Sequence, residues 1–286
     1  MSFESLYRYF FPSSANGAIY FIHRIDENIG DVLSAPYRYY EFAKHEIIDI
    51  CNVEQINKLP QGAQVIVGGG GLMMPYFEPY RKALLARRPA KLVWWGVGER
   101  QIQNLITAYL PEQEANNSIQ SGWFAATDLV GFRQTNAYYP FVPCVSCKAV
   151  EAYRLSHLQP THQHDVVFFE HRDVPLPQVG NYPRRNNLGN DAEAVFTYLD
   201  SAAVVVTNSY HGMYWSLLLG KQVIVMPFSS GMYHHPWPVH HATPDTLLEV
   251  IEKSINLELQ ATTSILADCI ARNNEYYQQV LRYLAS

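Results

Sequence analysis

The chain has 286 residues, 48% of them hydrophobic and only 16% charged, with a formal net charge of −5. That composition supplies one large or two ordinary cores and excludes a disordered chain, and the acidic balance argues against a nucleic-acid partner, whose binding face is basic. No apolar run approaches the ~20 residues of a transmembrane helix, and the first residues, MSFESLYRYFFPSSANG, lack the pattern of a secretory signal, so a cytoplasmic protein is expected. Cys144 and Cys147 form a lone C-x-x-C without a second pair or a nearby histidine, which predicts reduced structural thiols and no metal.

In chain order, Ala18 to Ile22 reads as a first strand, His23 to Gly30 as a loop, and Asp31 onward as a helix. Gly30 lets the backbone approach a ligand, and Asp31 is expected either to cap that helix or to face a ligand. Ile47 to Cys51 is a second strand. Gln64 to Val67 is a third and runs into Gly68, Gly69, Gly70 and Gly71, a loop able to turn backbone N–H groups toward an anion or to let another chain segment pass close. The run is neither a dinucleotide fingerprint nor a Walker sequence, so no nicotinamide or ATP is expected.

Lys91 to Trp95 is a fourth strand, followed by Gly96 to Arg100. Asp128 to Phe132 is a fifth, followed by Arg133. Arg100 and Arg133, both after strand ends, are candidate ligands for a phosphate or carboxylate. Pro140 to Gln163 reads as a passage between domains. Asp165 to Phe169 opens a second strand series that ends in Glu170, His171 and Arg172, and Val174 to Asn190 reads as a proline- and glycine-rich loop.

The most informative stretch is Ala202 to Phe228. Val204 to Val206 has the unbroken β-branched character of a doubly buried strand. Thr207, Asn208 and Ser209 can cap the helix that carries His211, Gly212 and the apolar turns to Leu219. Gly220 stops it, and Gln222 to Met226 is the next strand. His211 therefore stands at a strand's carboxyl end and near a helix N-terminus, where open α/β sheets bind anions. Ser229, Ser230 and Gly231 follow the last strand. The four histidines 234, 235, 240 and 241 are interrupted by Pro236 and Pro238 and have no acidic neighbour, so an aromatic, partly cationic acceptor-binding loop is expected there rather than a metal. Thr243 to Ser254 reads as a helix capped by Thr243 and Asp245. Thr262 to Leu284 reads as a long amphipathic helix with Leu266, Ile270, Tyr277, Val280, Leu281 and Leu284 on its buried stripe.

Taken together, E-N-I-G-D (27–31), V-I-V-G-G-G-G-L (65–72), W-W-G-V-G (94–98), V-G-F-R (130–133) and the segment from Val206 to Val225 resemble the polysaccharide pyruvyl transferase family, over about residues 18 to 230. The resemblance implies an α/β chain of two Rossmann-like domains facing a cleft (GT-B-like), spanning residues 1–150 and 151–260. It also implies a C-terminal helix, 261–286, that in such proteins often crosses back to the first domain. The implied reaction transfers the pyruvyl group of phosphoenolpyruvate to two hydroxyls of a sugar, as a ketal, without a cofactor. Such enzymes serve exopolysaccharide, capsule or lipopolysaccharide assembly. The acceptor would be a lipid-linked or nucleotide-linked sugar, and peripheral association with the inner face of the membrane is compatible with that role. No oligomeric state follows.

The catalytic positions implied are Asp31, Arg133 and His211. His211 is expected to act as acid and Asp31 as base for the acceptor hydroxyl. The substrate-binding candidates are Asn28, Gly30, Gly69, Gly70, Gly71, Arg100, Arg172, Asn208, Ser209, Gly212, Ser229 and Ser230. Ser209 stands where characterised members carry an arginine that binds the donor, and Arg172, Lys221 or Arg100 is the candidate replacement. A nucleotide-sugar glycosyltransferase of the same architecture, or a non-catalytic sugar-binding scaffold, is the alternative.

Overall fold

The computed structural model describes residues 18–42, 44–99, 109–114, 119, 121–157, 163–256 and 263–286. Among the described residues, ten strands form two sheets, and every pairing within them is parallel. The first sheet contains β1 (Ile19–His23), β2 (His45–Asp49), β3 (Gln64–Gly70), β4 (Lys91–Val97) and β5 (Leu129–Phe132), in the order β2-β1-β3-β4-β5. The second contains β6 (His164–Glu170), β7 (Arg184–Asn186), β8 (Ala202–Thr207), β9 (Gln222–Val225) and β10 (His240–His241), in the order β7-β6-β8-β9-β10. Counted from its own first strand, each sheet has the order 2-1-3-4-5 of a doubly wound Rossmann-like fold. The order in which strands are added therefore reverses between β1 and β3 in one sheet and between β6 and β8 in the other. No helix among the described residues is long and apolar enough to cross a membrane.

Local chemistry explains the elements. Val65, Ile66 and Val67 of β3, and Val204, Val205 and Val206 of β8, are buried on both faces, as a covered parallel sheet requires. The helix α1 (Ile29–Leu33) is capped by Asn28, whose side chain accepts from Gly30 N at 3.0 Å. Asp31, expected as a possible cap, lies inside the first turn instead. The helices α2 (Val53–Asn57) and α3 (Glu78–Ala86) follow β2 and β3.

Three expectations are corrected. The passage 140–163 contains a helix, α4 (Cys147–Ser156), which packs on the second half. The stretch 174–190 contains β7, because Arg184 reaches Glu170 at 2.8 Å and lines up beside β6. Gly68, Gly69 and Gly70 belong to β3 rather than to a loop. A Cβ at Gly68 or Gly69 would press on Pro36 or Ser34, and Gly69 N donates to Ser34 O, so these glycines serve close packing more than ligand access.

In the second half, α5 (Ala192–Asp200) is capped by Asp191 and α6 (Tyr210–Leu218) by Ser209. The helix α7 (Leu247–Ile255) begins after Thr246, later than the Thr243 start that the sequence predicts. The last helix, α8 (Thr263–Ala285), contacts both halves. Its first turns meet α4 and α6, while Tyr276, Val280 and Leu284 pack on Phe21, Val93 and Trp95 of the first sheet. Tyr276 donates to Trp94 O at 2.8 Å, and Asn273 accepts from the Trp95 indole at 2.8 Å. Ile29 and Leu33 of α1 lie in the same core cluster as Met213 and Trp215 of α6, so the halves share a core.

Candidate active site

The carboxyl ends of both sheets line one cavity of about 290 Å³. The loop after β1 supplies Asn28 and Asp31, that after β3 Gly71 and Tyr76, that after β4 Glu99, and that after β5 Arg133. From the second sheet, β6 leads to His171 and Arg172, β7 to Asn187, β8 to Ser209, Tyr210 and His211, and β9 to Ser229. Ligands bind open α/β sheets at these ends.

The polar floor is tied together across the halves. Ile29 N donates to Asn187 O at 3.1 Å and Gly189 N to Glu27 O at 2.8 Å. The Asn187 amide donates to the Asn28 side chain at 3.3 Å, and Arg172 pairs with Asp26 at 3.2 Å. At the other wall, Ser230 donates to Glu99 at 3.0 Å and Thr135 N to His234 O at 3.1 Å.

Arg133 is the unusual group. It is 5% exposed, its guanidinium lies 3.8 Å from the centre of the Tyr210 ring, and neither Nε nor Nη1 has a hydrogen-bond partner among the described residues. The ring attracts the cation, but it does not satisfy the donors, each of which costs about 1–3 kcal/mol when buried without an acceptor. Gly98 makes this position possible, since a Cβ there would overlap the arginine stem. The other arginines at the cavity are paired: Arg24 with Asp49 at 2.6 Å, and Arg172 with Asp26 and Asp173.

His211 occupies the second position of α6, and a Cβ on Gly30 would overlap its ring. Burial first, and the nearby Arg133 charge second, hold its pKa well below the ordinary histidine value. In the ligand-free protein the imidazole is therefore neutral at pH 7, and the acid expected from the sequence is not yet charged. A doubly negative ligand would oppose the effect of Arg133. Behind the ring, Cys144 Sγ lies 3.5 Å from Nε2. Cys144 and Cys147 are unbridged, and burial raises both thiols.

Asp31, Arg133, His211, Asn28, Gly71, Arg172, Asn208, Ser209 and Ser229 line the cavity. Other candidates have different duties. Gly30 lies beneath His211, and Gly212 abuts Phe169 and Thr207. Ser230 is bound to Glu99, and Gly69 and Gly70 lie within β3. Asn208 reaches the rim, but its side chain binds Val174 O and His171 N and so fastens β8 to the loop after β6. Lys221 cannot replace the missing arginine, because it pairs with Asp200 at 2.7 Å beyond the other end of α6. Arg100 lies outside the described residues.

The histidine loop is corrected as well. None of residues 232–241 lines the cavity; Trp237 packs on Tyr214 and Phe141, and burial pushes His235 down to about 4, so it is not cationic at neutral pH. The sequence reading missed Arg24, Asp26, Tyr76, Asn187, and the contact of Cys144 with His211. Their positions after strand ends signalled the first four, whereas the last arises only from packing.

No protein-family model matches the chain, and no functionally curated protein matches it. Among solved structures, the chain is similar to a functional uncharacterized protein, KP1_0663, from Klebsiella pneumoniae subsp. pneumoniae NTUH-K2044. Identity is 18%, 79% of this chain and 87% of that one are covered, and the TM-score is 0.46.

Proposed function

We propose that this protein transfers the pyruvyl group of phosphoenolpyruvate to two hydroxyls of a sugar, with the two sheets acting as the facing units of a GT-B-like enzyme. The observation that carries the reading is the buried Arg133, with two unpartnered donors, beside His211 at the start of α6 in a shared cavity. That arrangement calls for a small anion. The donor has two anionic groups, one for Arg133 and one for the backbone N–H groups at the helix N-terminus. A cavity of about 290 Å³ lies at the small end of ligand sites and suits this donor better than a nucleotide sugar.

In the reaction, the methylene carbon of the donor gains a proton and the adjacent carbon becomes oxocarbenium-like. One sugar hydroxyl adds there, phosphate leaves with its bonding pair, and the second hydroxyl closes the ketal. Of the two hydroxyl protons released, one balances the proton taken by carbon and the other leaves with phosphate. Asp31 is suited to receive a hydroxyl proton, and His211 to contact the donor and serve as acid once the donor's charge is present. The Tyr76 ring, 60% exposed at the cavity mouth, is suited to stack on the acceptor sugar, lipid-linked or nucleotide-linked.

The test is a thermal-shift series with phosphoenolpyruvate, UDP, GDP and CMP on wild type and Arg133→Ala, followed by phosphate release from phosphoenolpyruvate. A ligand at 100 times its Kd stabilises by about 2.7 kcal/mol. Stabilisation by phosphoenolpyruvate, lost in the variant, is expected. Stabilisation by a nucleotide together with indifference to phosphoenolpyruvate would overturn the reading in favour of a glycosyltransferase.

A further inference from the structure

Behind His211 runs a chain of polar contacts that the reaction above does not use. The Trp215 indole Nε1 lies 2.9 Å from Ser146 Oγ, Ser146 Oγ 3.2 Å from Cys144 Sγ, and Cys144 Sγ 3.5 Å from His211 Nε2. Direction along this chain follows from chemistry. An indole N–H can only donate, so Ser146 accepts from Trp215 and turns its own proton to Cys144. Cys144 then accepts from Ser146 and has one S–H left, which is available to His211 Nε2.

We infer that the Trp215–Ser146–Cys144 chain fixes His211 as the Nδ1–H tautomer, with Nε2 as an acceptor buried against the thiol. Cys144 is thus a positioning residue. The Nδ1 side of the ring lies against Gly30, where an added Cβ would overlap it.

Three further observations agree. Cys144 is fully buried and burial raises its thiol, so the sulfur keeps the proton it must donate. His211 is held neutral by its surroundings, so a single tautomer is meaningful. The Tyr214 hydroxyl donates to Cys144 O at 2.8 Å and secures the backbone from which the thiol projects. The tautomer does not depend on the proposed reaction.

The experiment is a ¹⁵N–¹H correlation spectrum of the histidine rings in the ligand-free, full-length protein at neutral pH, with His211 assigned by loss of its signals in His211→Gln. The expected result is an unprotonated Nε2, resonating well downfield, and a protonated Nδ1. Cys144→Ala should shift His211 toward the Nε2–H tautomer, and Cys144→Ser, which keeps a donor, should restore the wild-type pattern. A protonated Nε2 in wild type would overturn the inference, as would an unchanged tautomer in Cys144→Ala. If the alanine variant does not fold, the wild-type spectrum alone decides. Because no ligand or turnover is involved, a wrong assignment of the donor leaves this result untouched.

Discussion

Replacing Arg133 by methionine keeps much of the side chain's length while removing a buried cation and two unpartnered donors. The ligand-free variant is therefore expected to be as stable as wild type or up to about 3 kcal/mol more stable, while losing all stabilisation by phosphoenolpyruvate. Paired thermal melts with and without the donor check both halves of this expectation. At Gly30 the opposite sign is expected. An alanine methyl would overlap His211, so Gly30→Ala should cost about 1–3 kcal/mol and displace the imidazole from the cavity wall. Urea unfolding and phosphate release measure these two effects. His211→Ala should lower kcat by about 10²–10⁴-fold and change donor affinity far less; turnover that recovers fully at saturating donor would assign the ring to binding alone.

At the scale of elements, α6 carries different jobs at its two ends. Its first turn presents Tyr210 and His211 to the cavity under the Ser209 cap. Beyond its last turn, Lys221 pairs with Asp200 in a site where the two side chains are only 4% and 10% exposed. Removing one member of such a pair strands the other charge, so Lys221→Met should lose about 3–5 kcal/mol. Because the helix runs on from His211 to Leu218 at 1.5 Å per residue before the pair is reached, kcat measured below the lowered Tm should remain near wild type. The glycines of β3 illustrate another lesson at this scale. Their spacing after apolar residues signalled a close approach, and the approaching group is the Ser34–Pro36 turn rather than a ligand.

For the molecule as a whole, buried neutral histidines set a pH dependence. Burial is the main cause that pushes His23 and His235 down to about 4, whereas the unfolded chain titrates near 6.5. Between these values the unfolded state binds protons that the folded state refuses. Stability is therefore unaffected by these groups above pH 6.5, falls as pH drops toward 4, and levels off below, by on the order of 3 kcal/mol for each. His211 acts in the same direction. Urea midpoints followed from neutral pH down to about 4 should fall accordingly. The helix α8 is the other device at this scale, since it covers Val93 and Trp95 of the first sheet while its first turns meet the second half.

Periodicity and turn chemistry in the sequence were enough for the α/β class, most of the strands, a helix cap among Thr207, Asn208 and Ser209, and the placement of Asp31, Arg133 and His211 after strand ends. Each of these follows from local physics: β-branched runs want a covered sheet, and short polar side chains want helix N-termini. What the sequence could not determine is which of those strand ends meet. That required the two 2-1-3-4-5 sheets to pack through Ile29, Asn28 and Asn187, so that eight strands end around one cavity. Tertiary packing also decided that Arg133 is desolvated, that Lys221 is committed elsewhere, that the histidine loop lies apart from the cavity, and that Cys144 stands behind His211. These are long-range contacts, and their energies depend on burial and on neighbours far away in the chain, which no local pattern encodes.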